Sequence, residues 1–146
     1  MYEFVQKLHS GIAYLALFML IVVVINSAIG LSKKREFTLK DRKIALFGLI
    51  FAHIQLLIAL VLYFLSPMGL ESISTLGMGA VMKNAELRQM AVEHPLINLI
   101  AIILITIGWS KHKKALTGEA KFKQITIFYA LGLLLILSRI PWKTWL

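Results

Sequence analysis

KIALFGLIFAHIQLLIALVLYFLSP, residues 43–67, is the stretch whose reading decides the fold. From 44 to 66 it carries no Asp, Glu, Lys or Arg, and about 20 apolar residues in a helix are enough to cross the roughly 30 Å hydrocarbon core of a bilayer. The stretch therefore predicts a membrane-spanning helix. His53 and Gln55 stand near its middle. A polar side chain at that depth has to face neighbouring helices, a cofactor or a water-filled cavity, so His53 is the first candidate functional residue.

Composition points the same way. Of 146 residues 59% are hydrophobic and 16% charged, and the mean hydropathy is +0.80, which is too apolar for a soluble domain of this size and predicts an integral membrane protein. The chain has no cysteine, which excludes disulfides, thiolate metal sites and cysteine catalysis. The beginning, MYEFVQKLHSG, has only Lys7 ahead of the apolar run and is followed by no small-residue cleavage site, so the first apolar segment is expected to be a retained helix.

Apolar runs occupy residues 11–31, 43–67, 90–109 and 124–142. They are continuous and of helical length, without the alternation of a β-barrel. The expectation is one domain over 1–146, an all-α integral membrane four-helix bundle with helices at about 9–31, 43–66, 85–110 and 122–142. Lys33, Lys34, Arg35, Lys40, Arg42 and Lys43 fill the first link, and Lys111, Lys113, Lys114, Lys121 and Lys123 the third. The positive-inside rule puts these links in the cytoplasm, hence a multi-pass membrane protein with both termini and residues 67–89 outside. The net charge of +9 then means contact with anionic lipid head groups and no nucleic-acid binding, because links this short present no stacking surface. In the outer link Asn84 is the expected helix cap, with Glu86 in the first turn. Pro95 predicts a kink, or a helix that begins at His94.

The chemistry rests on histidine. His94, Asn98, Ala101, Ile105 and Gly108 share one helical face of small and polar residues that should pack against neighbours. His112, inside the KHKK cluster, is expected to be solvated. Counted from the basic links at 1.5 Å per residue, His53 lies roughly 15 Å deep, His94 roughly 25 Å and His9 roughly 36 Å. Imidazole is a common axial ligand of haem and binds other transition metals, so His53, His94 and His9 are the candidate ligands, for haem or for a bare metal ion. His53 with His94 is the first pairing, with His9 as second or alternative ligand. Arg88 and Arg139 are candidates for a cofactor's anionic groups, and Asn98 completes the set. The plainer alternatives remain open. His53 could be satisfied by Asn98 or a backbone carbonyl, His9 could be interfacial, His94 could serve as a helix start, and both arginines could simply reach toward a membrane surface.

LHSG at 8–11, FAHIQLLIALVLYFLSP at 51–67 and MAVEHP at 90–95, followed by ILITIG and a lysine cluster, resemble a family of small four-helix membrane proteins of Bacteroidetes-type bacteria labelled cytochrome b-like. The resemblance covers nearly the whole chain. It implies a b-type haem protein of the inner membrane and draws attention to His9, His53 and His94. The expected function is electron transfer through haem b, with quinone as a possible electron partner. Its alternatives are a non-haem metal or proton-handling membrane protein, in which Glu93 joins the histidines, and an accessory subunit whose polar groups only fix helix packing against a protein partner or a second copy. A hydrolase is not expected, since no serine, histidine and carboxylate set assembles.

Overall fold

The computed structural model of the protein describes residues 1–145, which contain helices and no strand. Helix α1 runs Tyr2–Ser32 and α2 Leu39–Leu65. Three short helices follow, α3 Leu70–Leu76, α4 Met78–Lys83 and α5 Ala85–Arg88. A π-helical turn, Gln89–Glu93, joins α5 to α6, His94–Lys114. Helix α7, Gly118–Ser138, and a final turn, α8 Trp142–Trp145, complete the chain. Four helical stretches are long and apolar enough to cross a membrane, Tyr2–Ser32, Leu39–Leu76, Ala85–Lys114 and Gly118–Ser138.

Short links make α1 antiparallel to α2 and α6 antiparallel to α7, and the bundle closes where α7 packs on α1 as well as on α6. The filled core lies toward the basic links, built from Leu20, Val23, Ala45, Ile105, Trp109, Ile125, Tyr129 and Leu133. The one hydroxyl among them is answered, because Tyr129 donates to the Ala45 carbonyl at 2.9 Å. The outward faces are as apolar as the core, with Phe18, Leu57, Phe64 and Leu134 each more than 60% exposed. An apolar exterior of this extent is the surface of a chain made to sit among other apolar molecules.

The basic end is locked by one carboxylate. Asp41, 4% exposed, accepts from the Asn26 amide at 2.9 Å, from Arg35 Nη2 at 2.9 Å, and from the Thr38 N–H at 2.8 Å and hydroxyl at 3.0 Å. It ties α1, the link and the start of α2 together. His112 belongs to the same end and corrects the expectation of a solvated residue. Helix α6 continues to Lys114, four residues past its expected end. That places His112 on the inward face one turn after Trp109, 1% exposed and against Phe37 and Trp109, with Nδ1–H donating to the Trp109 carbonyl.

Helix α7 begins at Gly118, capped by Thr117 Oγ1, and ends at Ser138, because Pro141 cannot continue it. Asn84 caps α5 as expected, its Oδ1 accepting from the N–H groups of Glu86 and Leu87 at 3.1 Å each. Between α3 and α4, Gly77 has φ of 84°, a left-handed conformation that lets the two helices fold back across the end of the bundle.

Helices α6 and α7 approach closely at Gly132. A Cβ there would lie 2.6 Å from Ile105 Cγ1 and 2.9 Å from the Ala101 carbonyl oxygen, whereas one on Gly11 meets nothing within 4 Å. Gly132→Ala is therefore expected to destabilise the bundle by about 1–3 kcal/mol. Gly11→Ala should stabilise it by up to about 1 kcal/mol through helix propensity. Unfolding in mixed micelles, followed by circular dichroism as denaturing detergent is raised, checks both signs.

Candidate functional site

At the end away from the basic links the inner faces carry small side chains. Ala13 and Ala16 of α1, Ala52 and Ala59 of α2 and Ala91 of the π-turn stand where the other end has Leu20, Ile105 and Tyr129. The helices do not close over the difference, and a cavity of about 570 Å³ remains, within the size range of small-molecule sites. Its wall is mostly apolar, with His9, Gln55, Tyr63, His94 and Asn98 as the polar groups that matter below. Leu60, Leu96 and Leu99 line it and are also exposed, so it opens sideways between α2 and α6.

Pro95 shapes one wall. Having no N–H, it cannot bond the carbonyl four residues back, that of Ala91. Tyr63 of α2 answers it, its hydroxyl donating to the Ala91 oxygen at 2.8 Å. The preceding residue bonds one position wider, His94 N–H to the Gln89 carbonyl. This is the π-turn, a distortion often found at functional sites.

His94 Nδ1 lies 2.9 Å from the Arg139 carbonyl oxygen. A carbonyl only accepts, so Nδ1 carries the hydrogen and Nε2 keeps its lone pair. Asn98 stands 3.2 Å from the same Nδ1, but with that nitrogen already donating, its amide is engaged instead by the His94 carbonyl at 2.6 Å. The His9 ring lies opposite, 6.2 Å from the His94 ring between centroids and at 87° to it. His9 Nδ1 is buried without a partner. Beside it, Gln55 Nε2 donates to the His9 carbonyl at 2.8 Å, which fixes the other end of that amide as oxygen. Gln55 Oε1 is also buried without a partner.

The structure thus brings His94 together with His9. His53 stands apart and does not line the cavity. Its Nδ1 donates to the Leu49 carbonyl at 2.8 Å, and its Nε2 lies 3.4 Å from Thr106 Oγ1. The depths explain this. With the observed ends at Ser32, Leu39 and Lys114, His9 and His94 lie about 35 and about 30 Å from the ends of their helices, and His53 only about 21 Å. Among the described residues no three His, Asp or Glu side chains converge on one point, so His9, His53 and His94 do not form a three-ligand metal centre.

The arginines do not reach the cavity either. Arg88 pairs with Glu93 at 3.2 Å and donates to the Met82 carbonyl at 3.0 Å. The Arg139 side chain folds onto the Ser138 carbonyl, and it is the Arg139 backbone oxygen that serves the site. Gln55 and Tyr63 line the cavity although neither is among the site residues expected from the sequence. For Gln55 a signal existed in the chain, since residues two apart on a helix point nearly opposite ways. Only one of His53 and Gln55 can therefore face α1.

With this geometry described, comparison with known proteins adds no relative. No protein-family model matches the chain, and no curated protein or solved structure shows significant similarity to it. The class defined by fold and site is an all-helical protein with four helices capable of crossing a membrane and an apolar cavity edged by two imidazoles.

The Tyr63 bond gives a direct test of the wall. Tyr63→Phe leaves the Ala91 oxygen unmet and is expected to destabilise the protein by about 0.5–2 kcal/mol. A detergent-unfolding titration should show this loss for Tyr63→Phe and almost none for Phe64→Leu on the exposed face.

Proposed function

We propose that the chain is a multi-pass protein of the bacterial inner membrane that holds one b-type haem between His9 and His94 and passes electrons through it, with a membrane quinone as partner. The observation that carries this reading is the imidazole pair at the cavity wall. An imidazole nitrogen sits about 2.0–2.1 Å from a bound zinc, and two bonds of similar length plus two ring radii span about the separation of the His9 and His94 rings. His94 also has the tautomer of a ligating histidine, Nδ1–H on a carbonyl and Nε2 free. The donor set fits the group, and the apolar wall suits a macrocycle.

Bound there, the haem would supply one-electron redox chemistry. The protein's part is to hold the two nitrogens on facing helices, keep water from the apolar walls, and leave the side between α2 and α6 open toward the lipid from which a quinone would come. His53, Arg88 and Arg139 lie outside this ligand set, and Asn98 supports it by holding the first turn of α6. The lysines and arginines of the two basic links would rest on anionic head groups on the cytoplasmic side.

Absorption spectra of detergent-purified protein, reduced minus oxidised, test the cofactor. The wild type and His53→Ala are expected to show a b-type α-band, and His9→Ala and His94→Ala to lose it. A colourless wild type overturns the reading.

Insertion and orientation are tested separately, helped by the absence of native cysteine. In intact cells a membrane-impermeant maleimide is expected to label Ala80→Cys in the outer link and to leave Leu116→Cys unlabelled until the membrane is opened. The reverse pattern would place the basic links outside.

A further inference from the structure

Two buried polar atoms on one wall of the cavity have no partner, His9 Nδ1 and Gln55 Oε1. An unmet polar atom in apolar surroundings is costly, and Gln55 cannot relieve it by turning its amide over. Its Nε2 is committed to the His9 carbonyl at 2.8 Å, and a flipped amide would put oxygen against oxygen. The amide is thus anchored to the residue whose ring nitrogen is also unmet. One atom of the pair can donate and the other can only accept.

The opposite wall shows what such an arrangement is for. A ligating imidazole donates its other N–H to a carbonyl, carboxylate or water, which sets its tautomer and its direction. His94 has that acceptor in the Arg139 carbonyl, whereas His9 Nδ1 has none. We propose that Gln55 is the positioning residue of His9: when a ligand occupies the cavity, Gln55 Oε1 accepts from His9 Nδ1–H and aims His9 Nε2 across the cavity toward His94. This rests on the haem reading above and adds the residue that sets one ligand's direction and electron density. The amide is already held against α1 by its Nε2, so forming the contact calls on the His9 ring to turn about its Cβ–Cγ bond. Both unmet atoms are then satisfied together.

Gln55→Leu and Gln55→Glu test the role in detergent-purified protein. The readouts are haem affinity, by titration of haem-free protein with haemin, and reduction potential, by spectroelectrochemistry. Gln55→Leu removes the acceptor and is expected to weaken haem binding about 10–100-fold. Gln55→Glu keeps an oxygen at the same reach and, as the protonated acid, can donate to the His9 carbonyl where Nε2 does now, so it should bind within a few-fold of wild type. As pH is raised and the acid ionises, the potential is expected to fall below that of wild type because the carboxylate makes His9 a stronger donor. A residue that only packs against His9 would not give retained affinity together with a lowered potential. Wild-type affinity and potential in both variants overturn the role of Gln55 and leave haem binding standing. A wild type that binds no haemin removes the haem reading as well.

Discussion

Inside a bundle whose core and outer faces are both apolar, a polar atom must be met by another part of the chain or stay unmet at a cost. The inter-helix hydrogen bonds follow from that constraint. Tyr129 reaches Ala45, Tyr63 reaches Ala91, His94 reaches Arg139 and Gln55 reaches His9, each a helix side chain bonded to the backbone of a distant segment. Such bonds act where dispersion alone is indifferent to register, because neighbouring helices would otherwise slide along equally apolar surfaces. The few polar atoms left unmet are informative for the same reason, and two of the three lie at His9 and Gln55.

The constraint is handled differently at the two ends. At the basic end Asp41 gathers four donors, His112 is enclosed by Phe37 and Trp109, and large side chains fill the space between α1, α6 and α7. Alanines line the other end, α2 and α6 are separated by open volume, and Pro95 interrupts the backbone hydrogen bonds beside the cavity. A tight end supplies the stability that allows a loose end to stay open. A π-turn and two unmet polar atoms are tolerable in a structure anchored elsewhere. The proposed haem site takes its geometry from this imbalance, since the imidazoles are carried on long helices whose far ends cannot shift.

Much of the architecture was legible along the chain. Run length and the absence of charge pointed to four helices, the basic residues of two links pointed to their orientation, and Asn84 and Pro95 marked the start of the third long helix. The ends were less legible. His112 was read as solvated because KHKK is a polar string, yet a helix carried four residues further turns one of those four side chains inward. The choice of histidine pair failed to emerge for a related reason. His53 stands near the middle of its apolar run, but position along a run says nothing about direction, and its ring is satisfied by Leu49 on its own helix.

By itself the sequence determined the helix count, the two basic links that predict orientation, and the fact that imidazoles lie on three of the four long helices, because hydropathy and charge are additive along a chain. The tertiary structure alone decided that His9 meets His94, that Gln55 and not His53 faces the cavity, and that Arg139 contributes its carbonyl while its guanidinium stays outside. Those outcomes depend on rotation about each helix axis and on how far each helix extends. Both are set by which faces pack together, and a linear pattern of apolar residues that is hydrophobic all round does not specify them.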